Sequence, residues 1–107
     1  MSNNFGLNNE DIEEILLILK SVSEVDEAII FGSRAKGNFR NGSDLDIAIK
    51  GKNVNFSNIS YISYRLNEET LMPYKFDILD YNMISNEELK NHINRIGRIL
   101  YKKENIH

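Results

Sequence analysis

The stretch Asp44-Leu45-Asp46-Ile47-Ala48-Ile49-Lys50 constrains this chain more than any other. Successive side chains of a strand point to opposite faces, so Leu45, Ile47 and Ile49 share one side while Asp44, Asp46 and Ala48 share the other. The apolar side suits a core. The other side carries two carboxylates about 6.5–7 Å apart along the strand. Acidic groups placed that way in an apolar strand are costly unless they stay solvated or a cation offsets their charge. Taken alone, Asp-x-Asp fits either a solvated acidic face or a metal site. The fold must therefore be layered, with one sheet face closed and at least part of the other open.

Periodicity fills in the rest. Ile12, Ile15, Leu16, Leu19 and Val22 recur at helical spacing, with Asn9 predicted as the cap and Glu10, Asp11, Glu13 and Glu14 near the positive end. Val25 to Phe31 reads as a first strand ended by Gly32, and Ser33 to Lys36 as a short helical turn stopped by Gly37. Asn41-Gly42 signals a turn before the acidic strand, Asp44 to Lys50. A second long helix is predicted over 58–69, with Ile59, Ile62 and Leu66 inward. Pro73 then leads into a third strand, Tyr74 to Leu79. Ser85-Asn86-Glu87-Glu88 has the form of a capping box, and Leu89, Ile93, Ile96 and Leu100 continue as one helix face with Arg95, Arg98, Lys102 and Lys103 at its basic end. The pattern gives an α/β (α+β) domain over 9–107, a small mixed sheet with flanking helices, preceded by a polar tail over 1–8.

Bulk properties narrow the partners. The chain has 107 residues, 41% of them hydrophobic, enough for a single modest core. A net charge of −3 argues against a nucleic-acid grip through phosphates, so no direct nucleic-acid contact is expected. The longest apolar run, Ile15 to Leu19, is far short of the ~20 residues a membrane span needs. The first residues lack the pattern of a secretory leader, and a cytoplasmic place is expected. With no cysteine, disulfides and thiolate metal sites are excluded. His92 and His107 have no partner at ligand spacing, and His92 reads as a surface residue of the last helix.

The segment ahead of the acidic strand gives the carboxylates a context. A strand feeding a helical turn at Gly32-Ser33 directs free backbone N–H groups outward, where they can meet phosphate oxygens. A tight turn with an ordinary serine cap accounts for the same two residues. Arg34, Lys36 and Arg40 make the segment locally basic within an acidic chain. Asp77, between Phe76 and Ile78, is a third carboxylate inside an apolar strand, whereas Asp80 falls where that strand gives way to a turn.

Gly32, Ser33, Gly37, Ser43, Asp44, Asp46 and Asp77 together make the pattern Gly-Ser, Gly, Ser-Asp-x-Asp and a distant strand Asp. In this the chain resembles the minimal nucleotidyltransferases of the DNA polymerase β-like superfamily, over nearly its whole length from the first helix. The resemblance implies a polymerase β-like fold, with Gly32, Ser33 and Arg34 binding a nucleoside triphosphate. It implies that Asp44, Asp46 and Asp77 are catalytic and hold magnesium, two ions in all, with ATP as substrate. A hydroxyl would attack the α-phosphorus and pyrophosphate would leave. Domains of this size also resemble the antitoxin half of HEPN/MNT toxin–antitoxin pairs, which implies AMP transfer to a tyrosine of a HEPN toxin. Two other functions stay open: an antitoxin acting by contact alone, and the nucleotide-binding subunit of a two-subunit, antibiotic-type nucleotidyltransferase.

Overall fold

A computed structural model describes residues 5–37 and 44–104. The elements are α1 (Asn9–Lys20), β1 (Glu27–Phe31), α2 (Ser33–Lys36), β2 (Leu45–Lys50), α3 (Phe56–Glu68), β3 (Phe76–Asp80), a 3₁₀ turn (Tyr81–Met83), α4 (Glu87–Ile96) and β4 (Arg98–Lys102). The strands form one sheet in the order β3-β2-β1-β4. β1 pairs antiparallel with both β2 and β4, and β2 pairs parallel with β3. A parallel pair needs a long crossover, and α3 supplies it. The small mixed sheet with flanking helices is as predicted.

Strand parity sorts the two faces. Ala28, Ile30, Leu45, Ile47, Ile49, Phe76 and Ile78 pack in the main core with Ile15, Ile18 and Leu19 of α1 and Ile62 and Leu66 of α3. Burying each aliphatic side chain stabilises the fold by about 1.5–3 kcal/mol. Ile29, Phe31 and Ala48 face the other way, into a smaller cluster with Ile93 of α4, bordered by Leu79, Tyr81, Ile84 and Leu89. That second face is the one that carries the acids.

Local signals held where the chain decides them alone. Ser33 to Lys36 is helical and Gly37 ends the turn at φ 86°, a left-handed conformation that glycine adopts without a Cβ penalty. Asp80 acts as the expected turn residue, its carboxylate accepting from the Asn82 N–H at 3.0 Å. The caps differ by a residue or more. Asn8, not Asn9, accepts from the Asp11 N–H and starts α1. Asn86, not Ser85, caps α4. α3 begins earlier than predicted, at Phe56, because Asn55 and Asn58 form a reciprocal capping box.

Two corrections are larger. The predicted tail over 1–8 is docked from Phe5 onward: Phe5 and Leu7 are buried in the main core. The last helix stops at Ile96, and Leu100, predicted on its inner face, lies instead on β4 with Arg98 and Lys102. The cause is tertiary. β1 is buried over Ala28–Phe31, and a backbone edge left unpaired in that setting is costly. β4 pairs that edge, with a bulge opposite Ala28 and Ile29. Gly97 makes the corner: a Cβ there would overlap the Ile93 carbonyl oxygen and the Ile29 side chain. The Asn41-Gly42 turn, Arg40, Ser43 and His107 lie outside the described residues.

At the outer edge of the sheet, β3 is clamped from α3. Asn67 donates its amide N–H to the Phe76 carbonyl at 3.0 Å and accepts from the Phe76 N–H at 2.8 Å. One side chain thereby makes the pair of bonds that a further strand would make. Among the described residues no helix is long and apolar enough to cross a membrane.

Candidate active site

Parallel pairing of β2 and β3 puts Asp46 directly opposite Asp77. On its other side Asp46 is opposite Phe31, the last residue of β1. All three lie on the α4 side of the sheet. Asp44 is exposed and just precedes β2, Asp77 is exposed on β3, and Asp46 between them is half-buried. The structure thus brings two predicted acids side by side and the third close to them.

Gly32 follows Phe31 with φ 76° and ψ −152°, a region that essentially only glycine occupies. A Cβ at this position would overlap the Asp46 carboxylate. The Gly32-Ser33 turn therefore lies against the central acid, and the absence of a side chain is what lets the two meet. Gly32 and Ser33 are both partly exposed at the start of α2.

The electrostatics of the group are one-sided. Burial pushes the Asp46 carboxyl above the ordinary aspartate range, and the negative charges of Asp77 and then Asp44 push it further, while His92 acts in the opposite direction. Among the described residues none of the three carboxylates has a hydrogen bond or an ion pair. Crowded oxygen donors without a partner fit a hard divalent cation such as Mg²⁺, which prefers carboxylate ligands. Among the described residues, however, no three acidic or imidazole groups are gathered round one point as a complete metal cage. The fit lies in charge and donor chemistry.

Arg34 goes elsewhere. Its side chain is only 2% exposed, its guanidinium donates to the Phe5 carbonyl at 3.0 Å and it stacks 4.9 Å from the Tyr74 ring centroid. A direct phosphate contact from this guanidinium, expected from the basic segment, is not what the packing presents. Arg34 thereby ties α2 to the N-terminal segment and to Tyr74. Lys36 is exposed at the far end of α2.

One residue near the acids was read otherwise from sequence. His92 of α4 is half-buried, with its ring edge-to-face on Phe31 at 6.2 Å between centroids. No spacing in the chain marks it, because packing of α4 on the sheet brings it there. A cavity of about 780 Å³ runs beside α3 and the outer edge of β3 and includes none of the residues named for the site.

Comparison with known proteins agrees with this fold. A chain in the crystal structure of a toxin–antitoxin complex with AMP-PNP superposes with a TM-score of 0.69 at 19% identity, covering 92% of this chain and 76% of that one. A chain of the complex between a tri-AMPylated Shewanella oneidensis HEPN toxin and its MNT antitoxin gives 0.68 at 15% identity, with 91% and 74% covered. A chain of an MntA–HepT toxin–antitoxin complex gives 0.67 at 15% identity, with 90% and 74% covered. At such identities the likeness is one of fold. No curated protein matches the sequence. Residues 13–106 match the polymerase beta nucleotidyltransferase family, and the chain, with its Gly-Ser turn set against a strand aspartate, belongs to it.

Proposed function

We propose that this protein is a magnesium-dependent adenylyltransferase that moves AMP from ATP onto a tyrosine of a partner HEPN toxin, and so acts as an antitoxin in the cytoplasm. The observation that carries the reading is the register of Asp46 against Asp77, with the side-chain-free Gly32 turn touching Asp46. Family membership supports nucleotidyl transfer. The structurally similar complexes support the choice of donor and acceptor, since one contains AMP-PNP and another an AMPylated HEPN toxin.

In this reading the backbone N–H groups of the Gly32-Ser33-Arg34 turn and the Ser33 hydroxyl receive the phosphate chain. Asp44, Asp46 and Asp77 would hold Mg²⁺. When bound, the metal stabilises charge on the attacking and leaving oxygens and makes a hydroxyl easier to deprotonate. The acceptor tyrosine oxygen attacks the α-phosphorus, forming the new P–O bond as the bond to the β-phosphate's bridging oxygen breaks. Its proton passes to Asp77, the exposed carboxylate on the acceptor side, and pyrophosphate departs with the bonding electrons. The exposure of Asp44 and Asp77 is consistent with an acceptor that arrives on another protein.

The test is transfer of label from α-labelled ATP to the HEPN partner in the presence of Mg²⁺. Label on a partner tyrosine, abolished by Asp44→Ala/Asp46→Ala, is the expected result. Transfer undiminished in that double variant refutes the assignment.

A further inference from the structure

His92 of α4 packs against the strand end that leads into the Gly32 turn and that stands opposite the central acid. Its ring rests on Phe31 at 6.2 Å and an interplanar angle of 78°. Phe31 in turn precedes Gly32 and stands opposite Asp46. Ile93, the next residue, is 1% exposed and anchors this part of α4 to the sheet. The imidazole is therefore placed by packing on both sides, on the same sheet face as the carboxylates.

Its chemistry is unspent. Among the described residues neither ring nitrogen has a hydrogen-bond or ion-pair partner. The imidazole also draws the Asp46 carboxyl back toward ionisation, against burial and the Asp77 and Asp44 charges. Two of the chain's cations are committed or distant. Arg34 is buried under α2, and Lys50, at the opposite end of β2 from Asp46, lies over the Tyr81 ring at 4.4 Å. A phosphate chain laid on the Gly32-Ser33 turn would meet the Ser33 hydroxyl, and the His92 imidazole is held on the ring of Phe31, the residue before that turn.

We propose that His92 is a nucleotide-positioning residue, whose imidazole N–H hydrogen-bonds an oxygen of the triphosphate chain while its ring stays seated on Phe31. The proposal rests on the nucleotidyltransferase reading and deepens it. Its role is orientation of the donor nucleotide, with no proton transferred in the reaction. Because the contact is to phosphate and not to base or sugar, its loss weakens nucleotides in proportion to their phosphates.

The experiment compares the full chain with His92→Phe, which keeps the ring contact and removes the donor, and with His92→Gln, which restores an N–H. Dissociation constants for ATP and AMP are measured with Mg²⁺, alongside thermal melting and steady-state transfer to the partner. For His92→Phe the expected result is ATP binding weaker by about tenfold, the value of one good hydrogen bond to a charged group. AMP binding changes less than about twofold on the same scale. The KM for ATP rises more than kcat falls, and His92→Gln recovers part of the loss at an unchanged melting temperature. Equal weakening of ATP and AMP, or ATP binding untouched in His92→Phe, overturns the proposal and leaves the nucleotidyltransferase reading standing. A wild-type chain that binds no nucleotide overturns both.

Discussion

Replacing Gly32 by alanine tests whether the contact between the turn and the central acid is as close as described. Two costs arise. The backbone at φ 76°, ψ −152° is nearly forbidden to residues with a Cβ, which costs about 1–3 kcal/mol. The added methyl also overlaps the Asp46 carboxylate, and relieving such crowding costs typically about 1–3 kcal/mol more. The expected loss is therefore about 2–6 kcal/mol, and in a domain near this size each kcal/mol lowers the melting temperature by about 4–8 °C. Gly37→Ala is the internal control. It has a comparable positive φ, 86°, yet nothing among the described residues within 4 Å of the added methyl, so it pays only about 1–2 kcal/mol of backbone cost. The assay is urea denaturation of Gly32→Ala, Asp46→Ala and the double variant. With Asp46 truncated, the nearest Asp46 atom is the Cβ at 3.7 Å, an ordinary contact. A coupling of about 1 kcal/mol or more is expected, with the double variant more stable than the sum of the singles predicts. Gly32→Ala that costs no more than Gly37→Ala, with no coupling to Asp46, refutes the geometry on which the site rests.

Asp46 and Asn67 offer two further tests. Asp46→Asn is expected to stabilise the metal-free protein at neutral pH. The folded-state carboxyl is raised, so wild-type stability is fully present below the ordinary value of 3.8 and is lost as pH rises through the folded value. Urea midpoints from acid to neutral pH should therefore diverge in favour of Asp46→Asn, and Mg²⁺ should narrow the gap by stabilising only the wild type. Parallel midpoints across that range contradict the uncompensated charge. Asn67→Ala removes both bonds to the Phe76 backbone and should cost about 1–3 kcal/mol in chemical denaturation, whereas a loss within 0.5 kcal/mol, the range of about ±0.5 typical of surface substitutions, contradicts the clamp.

What could be read in advance depended on how local its cause was. The alternation of Leu45, Ile47 and Ile49 against Asp46 and Ala48 is intrinsic to a strand, and both faces came out as their parity required. The turn over Ser33–Lys36 was legible because Gly32 and Gly37 are backbone signals. β4 was not, because Leu89, Ile93, Ile96 and Leu100 keep a helical period straight across Gly97. Only the open edge of β1 decides that Leu100 joins a sheet. Arg34 looked like part of the basic segment, but the docked Phe5 carbonyl and Tyr74 ring claim its guanidinium. The two acids could each be suspected, yet their being opposite neighbours is a fact of β2–β3 register that no single segment carries. His92 failed to stand out for the same reason: its neighbours, Phe31 and Asp46, are remote in sequence.

That register also says when the proposed site comes into being during folding. Asp46 and Asp77 meet only after α3 has bridged two strands running in the same direction, a non-local union that forms slowly compared with a hairpin. A nascent or partly unfolded chain can possess β1 and β2 as an antiparallel pair and still lack the second half of its acid pair. Transfer activity would then report completion of the whole sheet, and a half-assembled molecule would be silent.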